Sequence, residues 1–222
     1  MKRPVKPDME SVHLMLITDD KRSRGRAVED IVRAAVAGGV RCIQYRPWQP
    51  SDAEFLQKVR VLREITRASH ALLIINDRID IAALGKADGV HLGAGDIPIH
   101  DARMLMGDTG IIGYSAHTQQ EAEDAAMGGA DYVTFSPVFP TTSTSLPRPV
   151  TGPFDALEVD CVLPVPLFAL GGVNHENIIE LLELGVEHAA VVSCITEADD
   201  VTDAARRLCD IIEREGIGEE KI

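Results

Sequence analysis

The chain lacks an excess of positive charge, paired cysteines, long apolar runs and a glycine-rich first turn, and each absence argues against a class of protein. Lysine and arginine number 22 against 35 aspartates and glutamates, for a formal net charge of −13. Binding to a nucleic-acid backbone needs a basic face, so no nucleic-acid partner is expected, and any phosphate has to be held locally. Cys42, Cys161, Cys194 and Cys209 lie far apart, with no CxxC pair and no Cys/His cluster of zinc spacing, and read as reduced core residues. The segment MKRPVKPDMESV is charged and carries no signal-peptide apolar stretch, and no uninterrupted apolar run approaches membrane-spanning length. The expectation is a cytoplasmic protein with no membrane partner and with a flexible N-terminal extension at residues 1–12.

What is present is alternation. Short β-branched runs at His13–Thr18, Cys42–Tyr45, Leu72–Asn76, Gly89–Leu92, Gly110–Ser115, Tyr132–Ser136, Val165–Leu170 and Ala189–Ser193 read as strands. Helical patterns with apolar residues at three- and four-residue spacing fall near Ala27–Ala37, Asp52–Ser69, Ile79–Gly85, Ile99–Met106, Gln119–Met127, His175–Leu184 and Val201–Arg214. The sixth helix is the weakest, with about one turn at Pro153–Glu158. The phrases AAVAGGVRCIQY, AAMGGADYVTF and LLELGVEHAAVV each end a helix on glycine and enter a strand, which marks a repeated turn and not a site. This order predicts an α/β fold, a (β/α)8 TIM barrel, in one domain over residues 1–222. A doubly wound open sheet would want a glycine-rich first turn, and the residues after Thr18 are DDKRSRGR.

In such a barrel, residues just after the strands build the site. The tract LLIINDRIDIAALGKADGVHLGAGD puts Asn76-Asp77-Arg78 after strand three and Gly93 to Asp96 after strand four, so two carboxylates at neighbouring strand ends can share a Mg²⁺. The plainer alternative is that Asp77 caps the next helix and Asp96 closes a turn. Polar groups also follow strand one (Thr18, Asp19), strand two (Gln44, Arg46) and strand five (Ser115, His117). Strand six runs into SPVFPTTSTSLPRPVTG, a loop too long for a tight turn. Gly171-Gly172 and Val192-Ser193 end strands seven and eight, where barrels commonly bind phosphate through backbone N–H groups.

The phrases GGVRCIQYR, LIINDRIDIA, ADGVHLGAGDIP, IGYSAHT, GADYVTFSPVFPT, ALGGV and AAVVS, in this order, resemble the thiamine phosphate synthase superfamily, which includes the TenI-type thiazole tautomerases. The resemblance implies an enzyme that joins hydroxymethylpyrimidine diphosphate to thiazole phosphate with Mg²⁺ and releases pyrophosphate. It implies Asp77 and Asp96 as metal ligands, and Gln44, Arg46, Asn76 and Ser115 as contacts to the pyrimidine or the diphosphate. Gly171, Gly172, Val192 and Ser193 then cradle the thiazole phosphate, and Thr141 and Ser143 match a hydroxyl-bearing loop. Arg46, Ser115 and His117 are the candidate catalytic side chains. The partners implied are small heterocyclic phosphates, and assembly into a homo-oligomer stays open.

Two departures stand out. The family's Gln-x-Arg-x-Lys reads Gln44-Tyr45-Arg46-Pro47-Trp48 here, and its Thr-x-Ser/Thr-Lys has Thr144 after Ser143. Both expected lysines are missing, which implies a weaker diphosphate site unless Arg148 or another cation replaces them. A tautomerase, which needs one acid/base such as His117 and no metal, is the alternative enzyme. A non-catalytic phosphate-ligand-binding relative is the third reading. His91 reads as a packed or hydrogen-bonded barrel residue, and Trp48 as either a stacking platform for a heterocycle or a cover for apolar surface.

Overall fold

The computed structural model describes residues 6–142 and 148–215. Eight parallel strands close a barrel in sequence order: β1 Leu14–Ile17, β2 Cys42–Tyr45, β3 Leu72–Asn76, β4 Gly89–Leu92, β5 Ile111–Ala116, β6 Tyr132–Phe135, β7 Leu167–Leu170 and β8 His188–Val191. Around it run α1 Val28–Ala37, α2 Asp52–Ala68, α3 Ile79–Gly85, α4 Ile99–Met106, α5 Gln119–Met127, α6 Pro153–Asp160, α7 Ile178–Leu184, α8 Ser193–Thr196 and α9 Val201–Glu215. This is the (β/α)8 TIM barrel that the alternation predicts.

Side chains alternate along each strand. Leu16, Ile43, Leu73, Ile75, Val90, Ile112 and Val133 point outward and pack with the helices in one apolar shell. Met15, Cys42, Ile74, Ile111, Tyr132, Phe168 and Ala190 point inward and form a second, smaller core. Residues 1–5 of the expected N-terminal extension lie outside the described residues; in its second half Met9 and Val12 are buried against this inner core, and Lys6 pairs with Asp131. α6 runs to Asp160, two turns where the sequence suggested one, because Pro153 at its first position is already preset for a helix. β8 ends at Val191, so Val192 and Ser193 leave the strand and open the short helix α8.

Two aspartates lock the entry end of the barrel. Asp88, just before β4, accepts from Leu73 N at 2.8 Å and from Arg63 Nη1 at 2.7 Å. Asp131, just before β6, accepts from Ile112 N at 2.8 Å and from Arg103 Nη2 at 2.7 Å. Each carboxylate thus satisfies a strand N–H and neutralises a cation from a surrounding helix.

Candidate active site

The exit end is built from the residues just past the strands. Thr18, buried after β1, accepts from Arg46 N at 3.1 Å and so fixes the chain leaving β2. Arg46 reaches Asp19 at 3.2 Å. Gln44, 2% exposed, donates from Nε2 to Asn76 Oδ1 at 2.7 Å, while its Oε1 is buried with no partner among the described residues. A buried acceptor without a donor is costly, which sets Gln44 apart from the paired polar groups around it.

Asp77 follows in the left-handed conformation, φ 60°, which aspartate tolerates better than most residues, and its N–H is held by His91 O at 2.8 Å. Asp96 is anchored from the other side, its Oδ2 accepting from Gly93 N at 2.7 Å. The two carboxyls meet. The Asp77 residue as a whole is exposed, yet its carboxyl is partly withdrawn from water; that desolvation, with the Asp96 charge and hydrogen bond beside it, raises its pKa to about 6. Among the described residues no third His, Cys, Asp or Glu joins them in a metal-holding group. Two hard oxygen donors with room for water fit a Mg²⁺-type ion, which keeps much of its hydration and takes further oxygens from a phosphate ligand.

Inside the barrel, His91 Nε2 lies 2.9 Å from Ser115 Oγ, and its Nδ1 lies 3.0 Å from the Tyr132 hydroxyl. Burial lowers the imidazole pKa to about 3, so His91 is neutral. His117 donates from Nδ1 to Ser136 O at 2.7 Å, and its Nε2 has no hydrogen-bond partner among the described residues.

A cavity of about 770 Å³ opens beside these groups, over the ends of β5 to β8 and β1. Arg46, Ser115, His117, Thr141, Gly171, Gly172, Val192 and Ser193 all line it, and so does Arg148. Gln44, Asn76, Asp77 and Asp96 stand outside its walls, on the β2–β4 side of the barrel mouth. Ser143 and Thr144 lie outside the described residues. Trp48 does not line the cavity; it is 59% exposed, and Lys21 Nζ sits 3.0 Å above its ring, so that face carries a cation and not a heterocycle.

Gly171 and Gly172 have φ of 93° and 70°, and a Cβ on Gly172 would lie 2.5 Å from Pro140 O. Both the backbone conformation and the close approach of the loop after β6 demand glycine there. Sequence reasoning did not single out Asn174 and Asn177, whose Nδ2 groups both donate to Gly172 O, at 3.1 and 3.0 Å, and pin the glycine turn. The signal was available as Gly-Gly-Val-Asn-x-x-Asn. Also missed was Arg22, which donates to Thr142 O and lies 3.6 Å from Glu197, tying the loop after β6 to the segment after α8.

Comparison with known proteins agrees with this architecture. A protein of Chloroflexus aurantiacus named thiamine-phosphate synthase is 38% identical over 195 residues, 88% of this chain and 90% of its own length. One of the same name from Syntrophomonas wolfei is 39% identical, with coverage of 90% and 96%. The solved structure of a thiamine phosphate pyrophosphorylase from Pyrococcus furiosus superposes with a TM-score of 0.84 at 34% identity, covering 91% of this chain and 96% of that one. A native KDPGal structure matches with a TM-score of 0.68 at 18% identity, which speaks for the barrel alone. The profile of the thiamine monophosphate synthase family spans residues 14–195, from the first strand into the short helix α8, and the chain belongs to that family.

Proposed function

We propose that this chain is a Mg²⁺-dependent thiamine phosphate synthase of the cytoplasm, joining hydroxymethylpyrimidine diphosphate to thiazole phosphate with release of pyrophosphate. The observation that carries the reading is the pair Asp77 and Asp96, two carboxyls brought together with no ion pair to either among the described residues and only the charge of Arg46, beyond ion-pair distance, acting on Asp77, beside a cavity that ends on Gly171-Gly172. Asp77 does not cap α3, whose first turn receives no side-chain capping bond; Asp96 does close the turn from Gly93, and its meeting with Asp77 is what favours a metal seat. The chemistry supplied by Mg²⁺ when bound is neutralisation of the charge that gathers on the departing pyrophosphate.

The chain's own groups do the rest. Arg46, at the mouth of the cavity, sets a permanent cation against the diphosphate as its C–O bond breaks. Gln44 Oε1, the unpartnered acceptor, suits an N–H of the pyrimidine better than a diphosphate oxygen, which has no proton to give. Ser115 offers a hydroxyl to the diphosphate. Gly171, Gly172, Val192 and Ser193 hold the thiazole phosphate with backbone N–H groups, and Thr141 adds a hydroxyl from the loop after β6, a role the family resemblance gives to Ser143 as well. Trp48 and Thr144 stand where the family resemblance expects lysines, and Arg148, on the cavity wall, is the cation that compensates.

The test is turnover by the purified chain with both substrates and Mg²⁺, followed as thiamine phosphate. Product formation that vanishes with EDTA and returns with Mg²⁺ is expected. Folded protein that makes no product overturns the reading. The Nε2 of His117, without a hydrogen-bond partner among the described residues, favours the tautomerase as the second reading, and a thiazole carboxylate phosphate is the substrate that tests it.

A further inference from the structure

Register across three strands sets up a polar column in the barrel interior. His91 on β4 pairs with Gly113 on β5, and Gly113 pairs with Tyr132 on β6. A Cβ at Gly113 would lie 2.1 Å from Tyr132 Cζ and 2.4 Å from its hydroxyl oxygen, so the tyrosine fills the space that any side chain at 113 would take. Through that gap its hydroxyl comes within 3.0 Å of His91 Nδ1, the two rings lying 5.5 Å apart. On the far side of the imidazole, Nε2 is 2.9 Å from Ser115 Oγ and a weaker 3.5 Å from Thr134 Oγ1. Tyr132 is fully buried, and its hydroxyl has no other partner among the described residues.

Proton counting then separates the two tautomers of His91 by the number of buried donors each strands. Were Nδ1 of His91 protonated, it would donate to Tyr132 and strand the tyrosine's own proton in the interior. Burying an unpaired donor is what folded proteins avoid. With the proton on Nε2, Tyr132 donates to Nδ1 and Nε2–H donates to Ser115, so the one donor left over among the described residues is the Thr134 hydroxyl, 3.5 Å from Nε2, which neither tautomer serves while Ser115 holds Nε2 at 2.9 Å. Ser115 has no other partner among the described residues and lines the cavity. We propose that Tyr132, acting through the Nε2–H tautomer of His91, holds Ser115 as an acceptor toward the barrel interior and thereby keeps its O–H as a donor toward an anionic oxygen in the cavity. With the opposite tautomer, Ser115 would spend its proton on His91 and present only lone pairs to a phosphate.

Tyr132 and His91 are positioning residues in this scheme, and Gly113 makes their contact sterically feasible. That the anion is the diphosphate rests on the synthase reading above; the tautomer itself does not.

The first test is ¹⁵N–¹H correlation of the histidine side chains in the full chain, with His91 assigned by its contacts to Tyr132 and Ser115. A protonated Nε2 with a hydrogen-bonded, unprotonated Nδ1 is expected. Protonation at Nδ1, alone or together with Nε2, overturns the proposal whether or not the protein turns over. The second test compares His91→Gln with His91→Met, each checked for folding by thermal melting. The glutamine amide can accept from Tyr132 and donate to Ser115, whereas methionine has about the bulk and neither function. His91→Gln should keep a kcat/KM roughly tenfold or more above that of His91→Met, in line with the value of an oriented donor to a charged group. Equal rates in two folded variants would overturn the positioning role. A wild-type chain that shows the Nε2–H tautomer yet makes no thiamine phosphate would remove the synthase reading and leave the tautomer assignment intact.

Discussion

Four aspartates stand at the two ends of the same barrel and behave in opposite ways. At the entry end, Asp88 and Asp131 are each paired with an arginine at 2.7 Å and each satisfy a strand N–H at 2.8 Å. At the exit end, Asp77 and Asp96 face each other, and no arginine or lysine among the described residues forms an ion pair with either. The charges of Asp88 and Asp131 are answered by the chain, so those two residues hold the fold. At the exit end the chain brings like charges together and leaves them for a ligand to answer. The lesson is that residue type does not identify a site; the deficit of partners does.

The comparison can be broken most sharply at Asp77. Asp77→Ala should lower kcat/KM for thiamine phosphate formation on the order of a thousandfold, since it removes half of the proposed metal seat. Its melting temperature should stay level or rise, because a like-charge contact is relieved; a large drop would make Asp77 a structural residue like those at the entry end. The mirror experiment is Asp131→Ala, which removes the ion pairs of Arg103 and Lys6 and leaves the Ile112 N–H unanswered. It should cost about 2 kcal/mol, read as a fall in Tm of about 6 °C, with turnover per folded molecule unchanged.

Acidity sharpens the same contrast. The Asp77 carboxyl keeps its proton up to about pH 6, against an ordinary value of 3.8. The folded, metal-free chain therefore binds that proton more tightly than the unfolded chain does. The stability from this carboxyl is fully present below about pH 4 and is lost as pH rises through about 6. Mg²⁺ needs the deprotonated pair, so the gain in Tm on adding it should be larger at about pH 7.5 than at about pH 5. Equal gains at both would detach the metal from Asp77. The smallest effect is expected at His117, which lines the cavity but answers to no carboxylate charge there. His117→Ala should reduce synthase turnover less than about tenfold, whereas a general acid or base would cost a hundredfold or more.

Much of this was legible in the sequence, and the part that was not has a physical cause. β-branched runs ending in polar residues located β2, β3 and β4 to the residue, and glycine after α1, α5 and α7 marked the turns back into strands. Asp77 and Asp96 stood out because each follows a strand. Asp88 and Asp131 were passed over, though the phrases ADGV and ADYV share their position, since nothing local says which arginine will reach them from a helix 25 or 28 residues away. The link from Tyr132 through His91 to Ser115 was invisible for a related reason. It depends on the register of three strands, and one strand read alone carries no register. Trp48 misled because its place in the chain, two residues past Arg46, does not tell which way its ring turns once the loop meets Lys21.

The most direct measurement is a calorimetric titration of Mg²⁺, with pyrophosphate present, into the wild-type chain and into the Asp77→Asn, Asp96→Asn double variant. The account predicts saturable binding by the wild type and its loss in a double variant that melts no lower. Undiminished binding by the double variant would place the metal elsewhere and contradict the division between the two ends of the barrel.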